Sequence, residues 1–446
     1  MSRDLIPQIV AEWRAQQPHY RLYNDYIAGR HRFPFASWKF LRHYRWMCNR
    51  ASENLMPAAV AAFTDTIRIR SWGSRQGGEE GLDRLAAAVH RGAFISGDAY
   101  TITWPAPAGA PRAVLQDPAA IVPHVSDDDP DLLDWAARVW YDPATARARI
   151  NIYTPTVCER WATRLPMRDQ HGAPLRDIPD RPIGWAPYSS PDAPETIPHA
   201  FGAAPVIWWK RDAARQDAHG VSILDQIIPI QDELNYHVVT ALIASERIAL
   251  PIRYAIAEQA STLGQNQQVN FDPTRENILA LAANAVGEFA GPDADKLIAL
   301  QNAAEQKIAR TTGIPPYVFS QQQGDIPSGE ALRILNARRT ATVQAFEAEA
   351  TPCWRGQLAL LGWEDDAAPV WEDPTPHDDT ERLAAARAAK DLGLPAEDWL
   401  RIAGYDPHAV DDSGATLADR VRDEAARTAQ AAAQAFLDGR TADTGY

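Results

Sequence analysis

Cysteine is scarce: Cys48, Cys158 and Cys353 are the only three in 446 residues, far apart and odd in number. That spacing excludes a disulfide framework and a CxxC zinc pair, and it fits a reducing compartment. Lysine is scarce as well, being confined to Lys39, Lys210, Lys296, Lys307 and Lys390, while Arg, Ala, Asp and Pro abound; this reads as coding bias and not as chemistry. Positive charge falls short overall, with 44 Lys and Arg against 58 Asp and Glu and a net charge of −14. A protein that grips nucleic acid by neutralising phosphates needs clustered cations, so DNA, if it is a partner, is not held tightly. Long apolar runs are missing too: nothing approaches the roughly 18 residues of a bilayer span, and the opening segment from Met1 to Pro7 lacks the apolar stretch of a signal peptide. The expected place of synthesis and assembly is the cytoplasm.

Chemical signatures are equally sparse. No GxxxxGK[ST] loop is present, which excludes a P-loop motor, and no HExxH or comparable ligand spacing points to a metal. His171, His199 and His219 fall in loops near acids and read as solvated. No cofactor is expected. The fifteen tryptophans beside many Asp and Glu could serve a carbohydrate-active hydrolase, with stacking platforms and paired carboxylates, but Trp in cores and interfaces is the commoner use.

What is present is an ordinary globular composition, 46% hydrophobic and 23% charged, in a chain long enough for roughly two to four folding units. Periodicity predicts a helix over residues 4–17, an aromatic and basic segment within 20–72 that leads into an apolar helical run at 54–66, and a helix over 81–92. Alternating stretches at 100–104, 138–141 and 149–153 predict an antiparallel sheet, residues 164–205 a proline-rich surface loop, and 205–209 a strand. A long helix follows from Ser222, as N-cap with Asp225 as capping-box acid, to about residue 248, with Pro229 kinking it or marking its effective start. Residues 251–290 read as a β-like insert with an amide-rich tip at Gln265, Asn266, Gln267, Gln268 and Asn270. A second helix spans 292–312, with Pro292 at its first position and Gly313 just past its end. After a loop, Ser328 caps a third helix that should stop at Pro352. Shorter helices are predicted at 380–392, 396–403 and 416–436, making an α+β chain with a helical end.

The segments Ser96-Gly97-Asp98-Ala99-Tyr100 and Gln116-Asp117-Pro118, the residues Ile228, Pro229, Gln231 and Asn235, and above all Ile308-Ala309-Arg310-Thr311-Thr312-Gly313-Ile314-Pro315-Pro316 followed by Ser328-Gly329-Glu330-Ala331-Leu332-Arg333 resemble tailed-bacteriophage portal proteins of siphophages and prophages. Tyr23 to His31 and Thr66 to Gly73 are similar to that family's opening segments. The resemblance implies a multidomain portal fold: an α/β wing over 1–215, a stem helix at 222–248, a β-containing clip at 251–290, a second stem helix at 292–312, a tunnel loop at 313–327, a spine helix at 328–361 and a helical crown at 365–446. It implies no enzyme but a homo-oligomeric ring of about twelve subunits at one capsid vertex of the virion, conducting double-stranded DNA during packaging and ejection. Implied partners are the large terminase subunit, head-completion adaptors, and major capsid and scaffolding proteins. By position, Gln321, Gln322, Gln323, Gly324 and Asp325 would face the channel, Gly313, Pro315 and Pro316 would form a hinge, and the amide-rich tip would dock partners. The channel tip carries no basic residue, so it would touch DNA transiently. A virion adaptor without a channel is the alternative within the same setting. The basic and aromatic stretch from Arg30 to Arg50 reads as a nucleic-acid patch or as a wing surface meeting capsid or neighbour.

Overall fold

The computed structural model of the chain describes residues 2–73, 80–105, 109–129, 132–168, 178–191, 193–214, 218–249, 253–256, 285–288, 291–319, 329–363, 367–375, 379–405, 407 and 415–442. The first helix, α1 (Ile6–Ile27), is 22 residues long and runs through Pro18, past the expected end at residue 17. Proline removes one helical hydrogen bond, but Tyr20, Tyr23 and Tyr26 beyond it are all buried in one core, and that packing carries the helix on. Then come α2 (Trp38–Cys48), capped by the side chain of Ser37, α3 (Met56–Thr64), β1 (Ile69–Trp72) and α4 (Glu80–Ser96).

Nine strands follow: β2 (Asp98–Pro105), β3 (Pro111–Gln116), β4 (Ile121–Val125), β5 (Leu133–Asp142), β6 (Arg147–Tyr153), β7 (Val157–Thr163), β8 (Trp185–Pro187), β9 (Thr196–Pro198) and β10 (Val206–Lys210). They make two antiparallel sheets, one ordered β10-β2-β3, the other β4-β5-β6-β7-β8 with β9 also on β7. Successive side chains point to opposite faces of a strand. Trp135, Ala137, Val139, Ala148, Ile150 and Ile152 therefore pack on Ile6, Ile9 and Val10 of α1. From the other face, Ala136, Tyr153 and Cys158 meet Tyr100, Ile102, Val206 and Trp208 of the smaller sheet. The proline-rich stretch is more than a surface loop, because β8 and β9 inside it extend the larger sheet along β7. Their prolines sit in short outer strands, where a missing amide donor is tolerated.

The long helix α5 (Leu224–Ala249) is unbroken through Pro229, which marks neither its start nor its end. β11 (Arg253–Ile256) and β12 (Ala285–Glu288) pair antiparallel, Arg253 opposite Glu288. In α6 (Ala294–Thr312) the N-cap is Asp293, whose side chain accepts from the amides of Asp295 and Lys296, so Pro292 lies outside the helix and not at its first position. α7 (Gly329–Leu360) is 32 residues long and continues through Pro352, because Trp354 and Leu358 beyond the proline extend the buried row Val343, Phe346 and Ala350. β13 (Pro369–Trp371) returns to β1, pairing Ile69 with Trp371 and Trp72 with Pro369. The end of the chain holds α8 (Asp379–Asp391), α9 (Ala396–Ile402) and α10 (Leu417–Ala442). The central core gathers the tyrosines of α1, helices α3 and α4, the start of α5, the end of α6, and α7.

Candidate functional site

α5 and α6 form an antiparallel hairpin. At its base Ile227 and Ile308 share the central core, and Lys307 Nζ reaches both carboxylate oxygens of Glu233, at 2.6 and 2.9 Å. That hydrogen bond holds the Glu233 carboxyl below its usual range. At the far end a Cβ on Gly291 would lie 3.6 Å from Ile248, so the chain returns where it left. The base is buried through Leu234, Asn235 and Val239, whereas residues 245–249 and most of 291–300 are exposed. Leu242, Ile248, Ile298 and Leu300 are left uncovered there.

Polar side chains fix the hairpin to the body. Gln231 and Asn235, both fully buried, grip the chain ahead of α3. Leu55 N donates to Gln231 Oε1 at 3.0 Å, Gln231 Nε2 donates to the Glu53 carbonyl at 2.7 Å, and Glu53 N donates to Asn235 Oδ1 at 2.9 Å. Asn235 Nδ2 lies 2.7 Å from His31 Nδ1, and His31 Nε2 lies 3.3 Å from the Tyr26 carbonyl. Burial lowers the pKa of His31, which suits a neutral ring that accepts at one nitrogen and donates at the other. Three tyrosines of α1 donate to three acids: Tyr20 to Asp98 at 2.9 Å, Tyr23 to Asp225 at 2.8 Å, and Tyr26 to Asp232 at 2.7 Å. Burial pushes the Asp232 carboxyl up to about 6 and all three phenols upward. Asp225 is thus engaged by Tyr23, and the expected capping box gives way to Ser222 alone, whose Oγ accepts from Leu224 N and donates to the Ile95 carbonyl.

Asp98 is 1% exposed and collects Tyr20, the Trp208 indole at 2.8 Å, His219 Nδ1 at 2.9 Å and the Gly220 amide at 2.9 Å. Next to it Gly97 has φ +78, and a Cβ there would stand 2.3 Å from the Gly220 carbonyl oxygen, so neither glycine can be replaced without moving backbone. His219 is accordingly held by Asp98 through one ring nitrogen while its side chain stays 41% exposed. His199 departs from the solvated position expected of it, lying between the rings of Trp104 and Phe201. His171 lies outside the described residues. Trp72, Trp185, Trp209 and Trp354 are fully buried.

At the predicted hinge, Gly313 ends α6 with φ 77. Arg338 of α7 lies over it and donates to the carbonyls of Arg310 at 2.8 Å and Thr311 at 3.1 Å. A cation thus closes the carbonyl end of α6, where its charge also opposes the helix dipole. Ile314 is buried, and Pro315 precedes a 3-10 turn at Pro316–Val318. Gln321, Gln322, Gln323, Gly324, Asp325 and the tip residues Gln265, Asn266, Gln267, Gln268 and Asn270 lie outside the described residues. Sequence reasoning missed Arg338 and the tyrosine–acid pairs. The spacing of Tyr20, Tyr23 and Tyr26, with Asp225 and Asp232 two turns apart, was the available signal.

Comparison with known proteins adds to this geometry. No curated protein matches the sequence. Among solved structures, the neck of a native gene transfer agent particle, computed with C12 symmetry, is 15% identical and aligns over 79% of this chain and 89% of that one, at a TM-score of 0.41. The neck of the empty particle, computed with C6 symmetry, is 13% identical over 82% and 94%, at 0.42. The family profile described as "Phage portal protein, SPP1 Gp6-like" matches residues 79–394, well over half of the chain, from α4 through α8. The chain belongs to that phage portal family, whose members sit at a capsid vertex and provide the passage for DNA.

Proposed function

We propose that this portal protein works as one subunit of a homo-oligomeric ring, with residues 1–215 as wing, α5 and α6 as stem, 251–290 as clip, 313–327 as tunnel loop, α7 as spine and 365–446 as crown. The observation that carries the reading is the α5–α6 hairpin: two long helices leave the body together, keep Leu242, Ile248, Ile298 and Leu300 uncovered, and bear a strand pair beyond their ends. A closed ring needs a different patch on each flank of the subunit, and a projecting hairpin offers two. In this reading Gln321, Gln322 and Gln323 face the channel and bond transiently to passing phosphates. The clip tip at Gln265 to Asn270 docks the large terminase subunit and head-completion adaptors, and the wing meets capsid and scaffolding proteins. The ring sits in the virion and assembles in the host cytoplasm.

Negative-stain microscopy with mass photometry on the purified chain tests the reading. Rings with a central hole are expected, and a chain that stays monomeric at every concentration overturns it. Deleting residues 258–275 should leave a folded subunit that no longer docks the packaging motor; normal packaging by that variant would refute the clip assignment.

A further inference from the structure

Residues 26–52 hold Arg30, Arg32, Lys39, Arg42, Arg45 and Arg50 but no Asp or Glu, so all 58 acidic residues of this chain lie elsewhere. The segment surrounds α2, which is anchored on one side only: Phe40 packs on Tyr236 of α5, ring centroids 5.5 Å apart, and Cys48 is the single buried residue of the helix. The opposite side carries Trp38 at 70% and Trp46 at 63% exposure, with Phe35 just ahead at 57%. The Arg42 guanidinium lies 5.5 Å from the centre of the Trp38 ring. Among the described residues, Lys39, Arg42, Arg45 and Arg50 pair with no carboxylate.

Two exposed indoles, a phenyl ring and several arginines with a single lysine have the composition of a protein–protein interface centre. Duplex DNA suits this face less well, since paired bases offer no open surface for an indole to stack on. What the face lacks is carboxylate, and the rest of the chain has that in excess.

We propose that α2, through Phe35, Trp38, Arg42, Arg45 and Trp46, docks on an acidic face of the adjacent copy of this chain in the ring. The inference rests on the ring reading above and adds which surface makes the contact and with what charge.

The test uses the full chain in three forms: unaltered, R42E/R45E, and with photo-reactive benzoylphenylalanine in place of Trp46. Irradiated rings should yield covalent dimers on a denaturing gel, with the cross-linked peptide rich in Asp and Glu. R42E/R45E should raise the concentration of half-assembly about tenfold or more, with the melting temperature of the free subunit unchanged. If the unaltered chain never forms rings, the ring reading falls and this inference with it. If rings form but position 46 yields no dimer, or R42E/R45E assembles like the unaltered chain, the docking inference alone is overturned. A labelled DNA duplex captured at position 46 in place of a second chain would overturn it in favour of nucleic acid.

Discussion

Asp98 accepts four hydrogen bonds in a site closed to water, so its replacement leaves three side chains and one amide without an acceptor. Asp98→Ala should cost about 3 kcal/mol or more, seen as a lower urea midpoint for the free subunit, whereas an unchanged midpoint would show the network to be incidental. Glu347 gives a pH-dependent case. It is 6% exposed, one carboxylate oxygen has no partner, and burial beside the charge of Asp373 pushes its pKa up to about 7. A raised carboxyl pKa favours the protonated folded form, so this contribution is complete below the unfolded value near 4.5 and is lost as pH rises through 7. Glu347→Gln should melt increasingly above the unaltered chain between pH 4.5 and 8, by roughly 3 kcal/mol at the upper end. A difference that stays flat with pH would refute it. His90 works in the opposite sense, since burial lowers its pKa to about 3 and its Nε2 accepts from the Trp354 indole. Its contribution is present above the ordinary histidine range and fades as pH falls, which is why the variant difference, and not the raw curve, isolates Glu347.

Among the helices, the three interior prolines show what local sequence can and cannot decide. Pro18, Pro229 and Pro352 each suggest a boundary or kink from local chemistry, yet all three lie inside helices. The deciding residues are Tyr20, Ile230 and Trp354, which pack in a core whose other members are far away in sequence. Gly313 is the contrasting case, since its left-handed backbone is a local property and the end of α6 was legible to the residue. The capping arginine 25 positions later was not, because nothing near Arg338 signals the carbonyls it meets. Of the candidate site, then, the two long helices α5 and α6 and the glycine that ends α6 could be read directly, while the buried clamps and the pairing of β1 with β13 could not. Gly313→Ala combines a disfavoured φ with a Cβ 2.7 Å from the Arg338 stem. It should destabilise the subunit by about 1 to 3 kcal/mol, measured by thermal melting. On the hairpin, Leu242→Glu with Ile298→Glu should leave the subunit's melting temperature within a few degrees and abolish rings in mass photometry, since both side chains are exposed in the single chain. Rings that persist would show these residues to be mere surface.

For the whole molecule, the excess of 58 acidic over 44 basic residues sets how it meets DNA. In the proposed ring, a lining that shares this acidic excess would repel phosphates over a screening length of about 8 Å at physiological salt, so a passing duplex would be neither gripped nor slowed. Purified rings should show no retention of a duplex by fluorescence anisotropy at about 0.15 M salt; tight binding there would contradict a smooth conduit. The same excess makes copies of the chain repel one another, which concentrates the burden of association on its few basic and apolar surfaces.

The pairing of β1 with β13 carries a consequence for biosynthesis. Trp72 on β1 packs edge-on against Trp354 with centroids 4.6 Å apart, and its strand is completed by residues 369–371. A growing chain therefore cannot finish its central core until α7 and β13 have left the ribosome, after the hairpin has already been made. Contacts of such sequence separation form late. The uncovered leucines and isoleucines of the hairpin thus become a rigid, correctly supported surface only when translation is nearly over, which disfavours pairing between half-made neighbours on one messenger RNA.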